Sequence, residues 1–187
     1  MDITEFFRQS AGKWFSQRTN HYFALNQSES GKFNIVIEMI PNDDLLLVKL
    51  YEQHKIDPAQ ALRAVRITWD GTMERGDRKD TGSTILVPVA DPYNPHEGKL
   101  LCETSYAETA PVAGRYVMGG DDALTLITES ETLYAEERLW FASPNLRMRT
   151  STLKRLDGFS MASFCSEIRM GGKQPPASSV AATEANS

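Results

Sequence analysis

Three polar side chains alternate along one short segment of the chain: Arg147, Arg149 and Ser151 are each two residues apart. In a β-strand this spacing sends all three side chains to the same face of the sheet. Two guanidinium groups beside a hydroxyl can bind an acidic ligand, because a planar guanidinium pairs with a carboxylate through two charge-assisted hydrogen bonds. The same row also fits the solvated outer face of a strand, so these residues alone leave both interpretations open.

A predicted hairpin connects this row to a pair of adjacent acids. The Ser-Pro-Asn turn signal at 143–145 separates two strand-like runs, and Glu136 and Glu137 begin the "EERLWFA" part of the first run. Neighbouring residues of a strand point to opposite faces, so only one of the two acids can share the face of the arginines. The number of residues in the loop decides which one it is.

The parity of this loop gives two alternatives. An odd loop pairs Ala142 with Leu146 and places Glu137 opposite Ser151. An even loop brings Arg138 onto the face of the arginines, where like charges repel each other. We therefore predict the odd loop, with Glu137 as the acid on the arginine face.

Length, composition and charge restrict the class of protein. The chain has 187 residues, of which 41% are hydrophobic and 24% charged, so it is long enough and apolar enough for one folded domain with a core. Its formal net charge of -5 and pI of about 5.3 argue against nucleic acid as the main partner. No apolar run approaches the roughly 20 residues of a membrane-spanning helix. The N-terminal "MDITEFFRQS" is acidic and has too short an apolar run, so we expect that it is not a secretory signal.

The cysteines and histidines indicate neither a metal site nor a catalytic cysteine. Cys102 and Cys165 lie far apart in apolar segments, as reduced thiols of a cytosolic protein would, and a disulfide between them is the alternative. His21, His54 and His96 are scattered without the spacing of metal ligands. We expect no metal and no required cofactor.

The pattern of apolar and turn residues predicts a mainly β chain. A short helix is expected at the N-terminus, capped by Asp2, and a second over 43–54, capped by Asn42 or Asp43. Gly, Pro, Asn and Asp divide the remainder into strands. The strands are expected from Lys13 onwards and at 32–40, 63–74, 83–90, 97–106, 112–118, 123–129, 131–142, 145–156 and 159–170. The residues of the first strand that share one face are Trp14, Ser16, Arg18 and Asn20.

This order of elements predicts a closed barrel. About ten strands joined by short turns remove their exposed edges by closing on themselves, and a barrel of this size can hold one small ligand. The helix at 43–54 is expected to cover one end as a lid, and a two-sheet sandwich is the competing architecture. The barrel domain is expected to span 1–170, and the polar, Pro-containing segment 171–187 is expected to be disordered.

Three segments together resemble a known family. "GKWFSQRTNHY" begins the first strand, with a Gly-x-Trp start similar to that of lipocalin-type barrels; "ITWDGTM" and "YAEERLWFASPNLRMRTS" follow in order. Over residues 1–170 the chain resembles the S-type (CpcS/CpeS) phycobiliprotein lyases. The resemblance implies a ten-stranded antiparallel barrel, similar to lipocalins and fatty-acid-binding proteins. It also implies that the protein binds a free bilin, expected to be phycocyanobilin, and attaches it by a thioether to a cysteine of a phycobiliprotein subunit.

The resemblance also implies roles for individual residues. A bilin is an open-chain tetrapyrrole with two propionates, which suit guanidinium groups, and pyrrole nitrogens, which suit a carboxylate. The expected bilin-binding residues are Arg147 and Arg149 for the propionates, Ser151 as a further hydroxyl, Glu137 for the pyrrole nitrogens, Trp69 as an aromatic wall and Arg18 at the polar end. Glu137 and the two arginines are expected to act in attachment, while the acceptor protein supplies the thiolate.

Several partners and alternatives remain at this point. The expected partners are free bilin and the acceptor phycobiliprotein subunits, with a homodimer or a heterodimer with a paralogous lyase subunit as further possibilities. The expected location is the cytoplasm, or the plastid stroma in a plastid-bearing source. A lipocalin-like carrier that binds a tetrapyrrole or fatty acid without transferring it is the alternative function. A partner subunit that is inactive alone is a third.

Overall fold

Ten antiparallel strands form a closed barrel in the computed structural model, which describes residues 1–75, 78–102 and 113–171. Each strand pairs with the next along the chain, and β1 pairs with β10. The helices and strands are α1 (Ile3–Ser10), β1 (Gly12–Tyr22), β2 (Gln27–Ile40), α2 (Leu45–His54), β3 (Ala64–Met73), β4 (Arg78–Ala90), β5 (Glu97–Cys102), β6 (Ala113–Met118), β7 (Leu124–Glu129), β8 (Leu133–Ser143), β9 (Leu146–Arg155) and β10 (Ser160–Met170). The predicted ten-stranded barrel is confirmed, and the sandwich is excluded. The segments 76–77, 103–112 and 172–187 lie outside the described residues, and the last of them contains all of the predicted tail except Gly171.

The two-residue period of the strands divides the side chains between the interior and the outside of the barrel. In β1 the buried residues Trp14, Ser16 and Asn20 alternate with more exposed ones, as predicted for this face. In β2 Phe33 and Ile35 point inward in the same way. The interior is therefore apolar along β2 and contains polar side chains along β1.

The N-terminal helix α1 packs into the end of the barrel where β1 begins. Asp2 caps it, as predicted, by accepting a hydrogen bond from the backbone N–H of Glu5. The helix buries Phe6 in the same apolar cluster as Trp14, and the ring centroids of Phe6 and Phe141 are 5.1 Å apart. This end of the interior is thereby filled with aromatic side chains.

Arg169 fixes the C-terminal end of α1 to the barrel. Its guanidinium donates hydrogen bonds to the carbonyl oxygens of Gln9, at 2.5 Å, and Ala11, at 2.7 Å. The guanidinium carbon also lies 4.2 Å from the ring centroid of Trp14. Since the last carbonyls of a helix have no partners inside the helix, a cation at this place both satisfies them and complements the helix dipole.

The second helix packs on the outside of the barrel, and the prediction that it forms a lid is wrong. Leu47, Leu50 and Tyr51 of α2 are buried against outward-facing residues of β3, β4 and β5. The residues of the barrel wall in this cluster are Ala64, Ile85, Val87, Val89 and Leu101. Asp44 caps the helix, one or two residues later than predicted. An apolar stripe on a helix indicates that this face is buried, but it does not show where. The apolar outer wall of the barrel can bury the stripe as well as the end of the barrel can.

Two strands are longer than predicted. β2 begins at Gln27 and β4 at Arg78, where the sequence is polar and contains glycine. Gly31 of β2 pairs with Met73 of β3, so the pairing of these two strands continues beyond the apolar segment of β2. Backbone pairing with a neighbouring strand therefore extends both strands beyond the residues with strong β-preferences. Neither α1 nor α2, the α-helices of the described ranges, has the length and apolar content that crossing a membrane requires.

We predict that the aromatic packing of α1 contributes strongly to stability. Replacing Phe6, which is 1% exposed, by alanine is expected to lower the free energy of unfolding by about 3–5 kcal/mol, through lost burial and an unfilled cavity. The measurement is urea denaturation followed by circular dichroism. Leu45→Ala on α2 is the control, since Leu45 is 79% exposed and should change little. Equal effects of the two substitutions would contradict this role for α1.

Candidate functional site

The pairing of β8, β9, β10 and β1 arranges interior side chains in three rungs across the barrel wall. We name the rungs by their distance from α1. The inner rung is Phe141, Arg147, Glu167 and Ser16; the middle rung is Leu139, Arg149, Cys165 and Arg18; the outer rung is Glu137, Ser151, Ser163 and Asn20. Of the six residues predicted for the site, five lie in these rungs: Arg18, Glu137, Arg147, Arg149 and Ser151.

The inner rung contains a buried ion pair. The Nε and Nη2 atoms of Arg147 each lie 2.6 Å from Oε2 of Glu167, and the side chains are 5% and 0% exposed. The other carboxylate oxygen, Oε1, accepts a hydrogen bond of 3.5 Å from Ser16. The guanidinium carbon of Arg147 also lies 5.1 Å from the ring centroid of Trp14. One edge of the Arg147 guanidinium is therefore fully occupied by protein groups.

The middle rung contains a second guanidinium that is less completely paired. Nη2 of Arg149 lies 3.3 Å from Oε1 of Glu167 and 3.6 Å from Sγ of Cys165, and Nη1 lies 3.8 Å from Oε1 of Glu137. Within the described residues its buried Nε has no hydrogen-bond partner. Arg149 thus has donors available for an acceptor that the protein does not itself supply.

Burial and charge oppose each other at these groups. Burial lowers the pKa of Arg149, but Glu137 and Glu167 outweigh it and the net shift is upward. Burial likewise tends to raise the pKa of Glu167, but Arg147 and Arg149 outweigh it, and the pKa lies below its usual value. Arg149 and Glu167 are therefore both charged at neutral pH.

Arg18 adds a third guanidinium to this part of the interior. Its guanidinium carbon lies 4.4 Å from the ring centroid of Phe33. No carboxylate of the described residues lies within ion-pair distance of Arg18, although its charge helps to lower the pKa of Glu167. Three guanidinium groups consequently face two carboxylates, Glu137 and Glu167, in the three rungs. This excess of positive charge suits an anionic ligand.

The outer rung supplies hydroxyl, amide and carboxylate groups. Ser151 and Ser163 share a hydrogen bond between their hydroxyl oxygens. Asn20 donates to the hydroxyl of Tyr22 at 3.4 Å, while its own side-chain oxygen has no partner among the described residues. The side chain of Glu137 is 40% exposed. The rungs therefore become more polar and more accessible with distance from α1.

The register of β8 and β9 agrees with the prediction, but the hairpin achieves it differently. Glu137 pairs with Ser151, as expected. The loop, however, is only the two-residue turn at 144–145, and Ser143 rather than Ala142 pairs with Leu146. A β-bulge at Ala142 adds one unpaired residue to β8. The side chains that precede it, including Glu137, therefore point to the same face as they would with a three-residue loop.

Trp69, the sixth predicted residue, lies on β3 across the interior. It pairs with Ile35 and Gly82, packs against the apolar cluster and donates a hydrogen bond of 3.0 Å from Nε1 to Asp80. A Cβ atom at Gly82 would lie only 2.3 Å from the ring of Trp69, so only glycine leaves room for the indole in this position. Trp69 is thus held as a rigid, half-buried aromatic surface.

Sequence reasoning missed Glu167, the carboxylate that joins the two arginines. Glu167 lies in the last strand, "SMASFCSEIRM". Its side chain points into the barrel, as do those of Ser163 and Cys165 at alternate positions. A buried acid opposite two inward arginines on the neighbouring strand is the signal that could have identified it. That signal becomes readable only when the register of β9 and β10 is known.

Both cysteines are free thiols, and both lie on interior positions. Cys165 belongs to the middle rung. Cys102, at the end of β5, packs against the apolar cluster. Burial, and then the nearby charge of Glu137, raise the pKa of Cys102 to about 12. Across residues 1–75, 78–102 and 113–171, no group of three or more His, Cys, Asp and Glu side chains could hold a metal ion.

Comparisons with known proteins agree on one family. A family model described as CpeS-like protein matches residues 2–170. The chain is 62% identical over 175 residues to the chromophore lyase CpcS/CpeS of Thermosynechococcus vestitus, covering 94% of this chain and 96% of the relative. It is 42% identical to the phycocyanobilin lyase subunit CpcS of Picosynechococcus, covering 99% and 93%. The structure of the S-type phycobiliprotein lyase CPES from Guillardia theta superposes with a TM-score of 0.83 at 33% identity, covering 92% of this chain and 95% of that one.

The raised pKa of Cys102 leads to a prediction about its reactivity. Because only the thiolate reacts with iodoacetamide, the alkylation rate at Cys102 in the folded protein is expected to keep rising beyond pH 10, toward its pKa of about 12. In urea the rate should be half-maximal near the ordinary thiol pKa of 9.0 and level off above it. Peptide mass spectrometry measures the rate at this cysteine. A half-maximal rate near pH 9 in the folded protein would show that burial does not protect the thiol.

Proposed function

Because the chain belongs to the CpeS-like family, we propose that it is a phycobiliprotein lyase. It binds a free bilin inside the barrel and attaches the bilin by a thioether to a cysteine of a phycobiliprotein subunit. The observation that carries the proposal is the under-paired Arg149, which lies 3.8 Å from Glu137 and shares the middle rung with Arg18 on the interior wall. This arrangement offers cations for propionates and a carboxylate for pyrrole nitrogens at neighbouring positions.

The guanidinium groups hold the acidic substituents of the pigment. Arg149 takes one propionate through its unpaired Nε, and Arg18, which has no carboxylate partner in the described residues, takes the second. Arg147 lies one rung deeper, with its Nε and Nη2 occupied by Glu167, whose charge it balances. The hydroxyl of Ser151 adds a hydrogen bond, and Trp69 provides an aromatic surface for a pyrrole ring.

Glu137 acts on the electronic state of the pigment. Its carboxylate lies 3.8 Å from Arg149 and is 40% exposed, so one oxygen is available to the interior while the arginine restrains the other side. A carboxylate that accepts hydrogen bonds from the pyrrole N–H groups favours the protonated chromophore. Protonation makes the conjugated system a better electrophile, because it stabilises the electron density that develops when a thiolate adds.

The nucleophile comes from the acceptor subunit. Its thiol loses a proton, a C–S bond forms at the vinylic carbon of the pigment, and a proton is added to the pigment to complete the addition. The lyase contributes by holding the pigment in one conformer, so that the thiolate meets one face of one carbon. Cys102, with its pKa raised to about 12, does not compete as a nucleophile at neutral pH.

The remaining details follow from the same proposal. We take phycocyanobilin as the pigment, because one relative is named a phycocyanobilin lyase subunit. Phycobiliprotein subunits are the acceptors, no further cofactor is needed, and the protein acts in the cytoplasm or plastid stroma, where its two free thiols stay reduced. The word "subunit" in that name supports testing the protein with a paralogous lyase as well as alone.

The binding step gives the first functional prediction. Mixing the purified protein with phycocyanobilin is expected to shift and intensify the visible absorption band of the pigment. Arg149→Gln and Glu137→Gln should each weaken binding by about tenfold or more, as expected for loss of a charge-assisted hydrogen bond in the interior. Absorbance titration gives the dissociation constants.

The matched controls are the neighbouring residues that point out of the barrel. Glu136→Gln removes an equivalent carboxylate from the adjacent position of β8, and Arg138→Gln removes an outward guanidinium that pairs with Asp121. Both should bind the pigment as the parent does. If they weaken binding as much as the interior substitutions, or if the interior substitutions have no effect, this assignment of the site is wrong.

The transfer step separates a lyase from a carrier. Co-expression with a bilin source and an apo-subunit should yield pigment that stays with the subunit on denaturing electrophoresis, where zinc-enhanced fluorescence detects it. A carrier would bind the pigment and leave it extractable by denaturation. Pigment that transfers only in the presence of a paralogous lyase would identify the protein as a partner subunit.

A further inference from the structure

The carboxylate of Glu167 is shared unequally by two arginines. Oε2 lies 2.6 Å from both Nε and Nη2 of Arg147, whereas Oε1 lies 3.3 Å from Nη2 of Arg149. Glu167 therefore closes one edge of Arg147 completely and leaves most donors of Arg149 free. The proposed function uses Arg149 as a contact for the ligand, but it gives Glu167 no role.

The two arginines lie at different depths in the barrel. Arg147 belongs to the inner rung, beside Trp14 and the aromatic packing of α1, and is 5% exposed. Arg149 lies two residues along β9, a distance of roughly 7 Å in an extended strand, and is 17% exposed. A carboxylate that enters from the side away from α1 meets Arg149 first and Arg147 second.

We propose that Glu167 is a positioning residue that sets how deeply the acidic end of the ligand enters the barrel. By occupying Arg147, it makes Arg149 the innermost guanidinium open to a ligand carboxylate. This inference rests on the proposed function, since it concerns the binding of the same dicarboxylic pigment. It assigns the two inward arginines of β9 different tasks: Arg149 contacts the ligand, and Arg147 balances Glu167.

The consequence of losing Glu167 follows from the charges. With glutamine at 167, the Nε and Nη2 atoms of Arg147 keep at most a neutral amide oxygen in place of a carboxylate, so they are held less strongly, and the interior gains one unit of net positive charge. A propionate can then move from Arg149 to Arg147, deeper by up to roughly 7 Å. The reactive carbon of the pigment shifts with it, and displacements of about 1 Å already slow reactions that depend on orientation.

The test compares binding with transfer in Glu167→Gln. Phycocyanobilin should bind within about threefold of the parent or more tightly, since the interior becomes more positive. Transfer to the acceptor subunit should slow by about tenfold or more, because the bound pigment is displaced. The affinity for phycocyanobilin relative to its dimethyl ester should also rise, because only the free acid gains from a second open guanidinium.

A double variant provides the rescue. Arg147→Met together with Glu167→Gln removes both members of the buried pair, so Arg149 is again the innermost open guanidinium on β9. Replacing a buried ion pair by neutral side chains is often tolerated, whereas removing one partner leaves a buried charge unpaired. The double variant should recover transfer to within about threefold of the parent, with the acid-to-ester affinity ratio of the parent.

The outcomes that overturn the inference are distinct. Parallel losses of pigment binding and of stability in Glu167→Gln would show a purely structural role, and so would equal effects on the acid and the ester. Unchanged transfer, or a double variant that stays as slow as the single one, would also overturn it. If Glu167→Gln does not fold, Glu167→Asp keeps the charge with a shorter reach, and the same split between binding and transfer is expected. A parent protein that neither binds nor transfers pigment would instead count against the proposed function.

Discussion

The carboxylate of Glu167 and the two guanidinium groups of Arg147 and Arg149 form a charge cluster inside the barrel, in which Glu167 and Arg147 are almost completely buried and Arg149 is 17% exposed. Burying such groups costs several kcal/mol per ion, and the cost is offset only when geometry and hydrogen bonding are good. The acid lies on β10 and both bases on β9, so the cluster exists in one register of these strands. A slip of β10 by one residue would carry Glu167 outside, bring Phe164 and Ile168 into the interior and leave the two arginines of β9 without their shared carboxylate. The register of β9 and β10, and through β10 its pairing with β1, therefore depends on this cluster.

The aromatic packing of α1 completes the environment of the cluster. Trp14 lies against Arg147 and Arg169, and Phe6 lies against Phe141 of the inner rung. These side chains exclude water from the inner end of the barrel, which strengthens the attraction between the buried charges. Polar groups become accessible only at the middle and outer rungs. The barrel thus combines a fixed, dry inner end with a region in which hydrogen-bonding groups remain available to a ligand.

Much of the fold and part of the site could be predicted from sequence, because the two-residue period of a strand is a local property. Turn residues defined the ten strands, and alternation correctly grouped Arg147 with Arg149 and Trp14 with Arg18. Properties that depend on partners distant in sequence were harder to predict. The outer-wall position of α2 depends on the apolar exterior of β3 to β5, and the role of Glu167 depends on the register of two strands. The β-bulge at Ala142 compensates for a shorter loop. The prediction that Glu137 pairs with Ser151 was therefore correct, although the predicted partner of Leu146 was wrong.

The interior chemistry is that of a protein that holds and polarises a ligand rather than one that attacks it. Its guanidinium, hydroxyl and carboxylate groups bind and orient, and they are weak nucleophiles at neutral pH. The thiols of Cys102 and Cys165 are the remaining interior groups that could react; burial, and then the charge of Glu137, raise the pKa of Cys102 to about 12, so this thiol stays protonated at neutral pH. Glu137, the second cause of that shift after burial, also lies 3.8 Å from Arg149, so one carboxylate acts on both the thiol and the guanidinium. The proposed division of labour, in which the acceptor supplies the thiolate and the lyase supplies the geometry, requires no nucleophile inside the barrel.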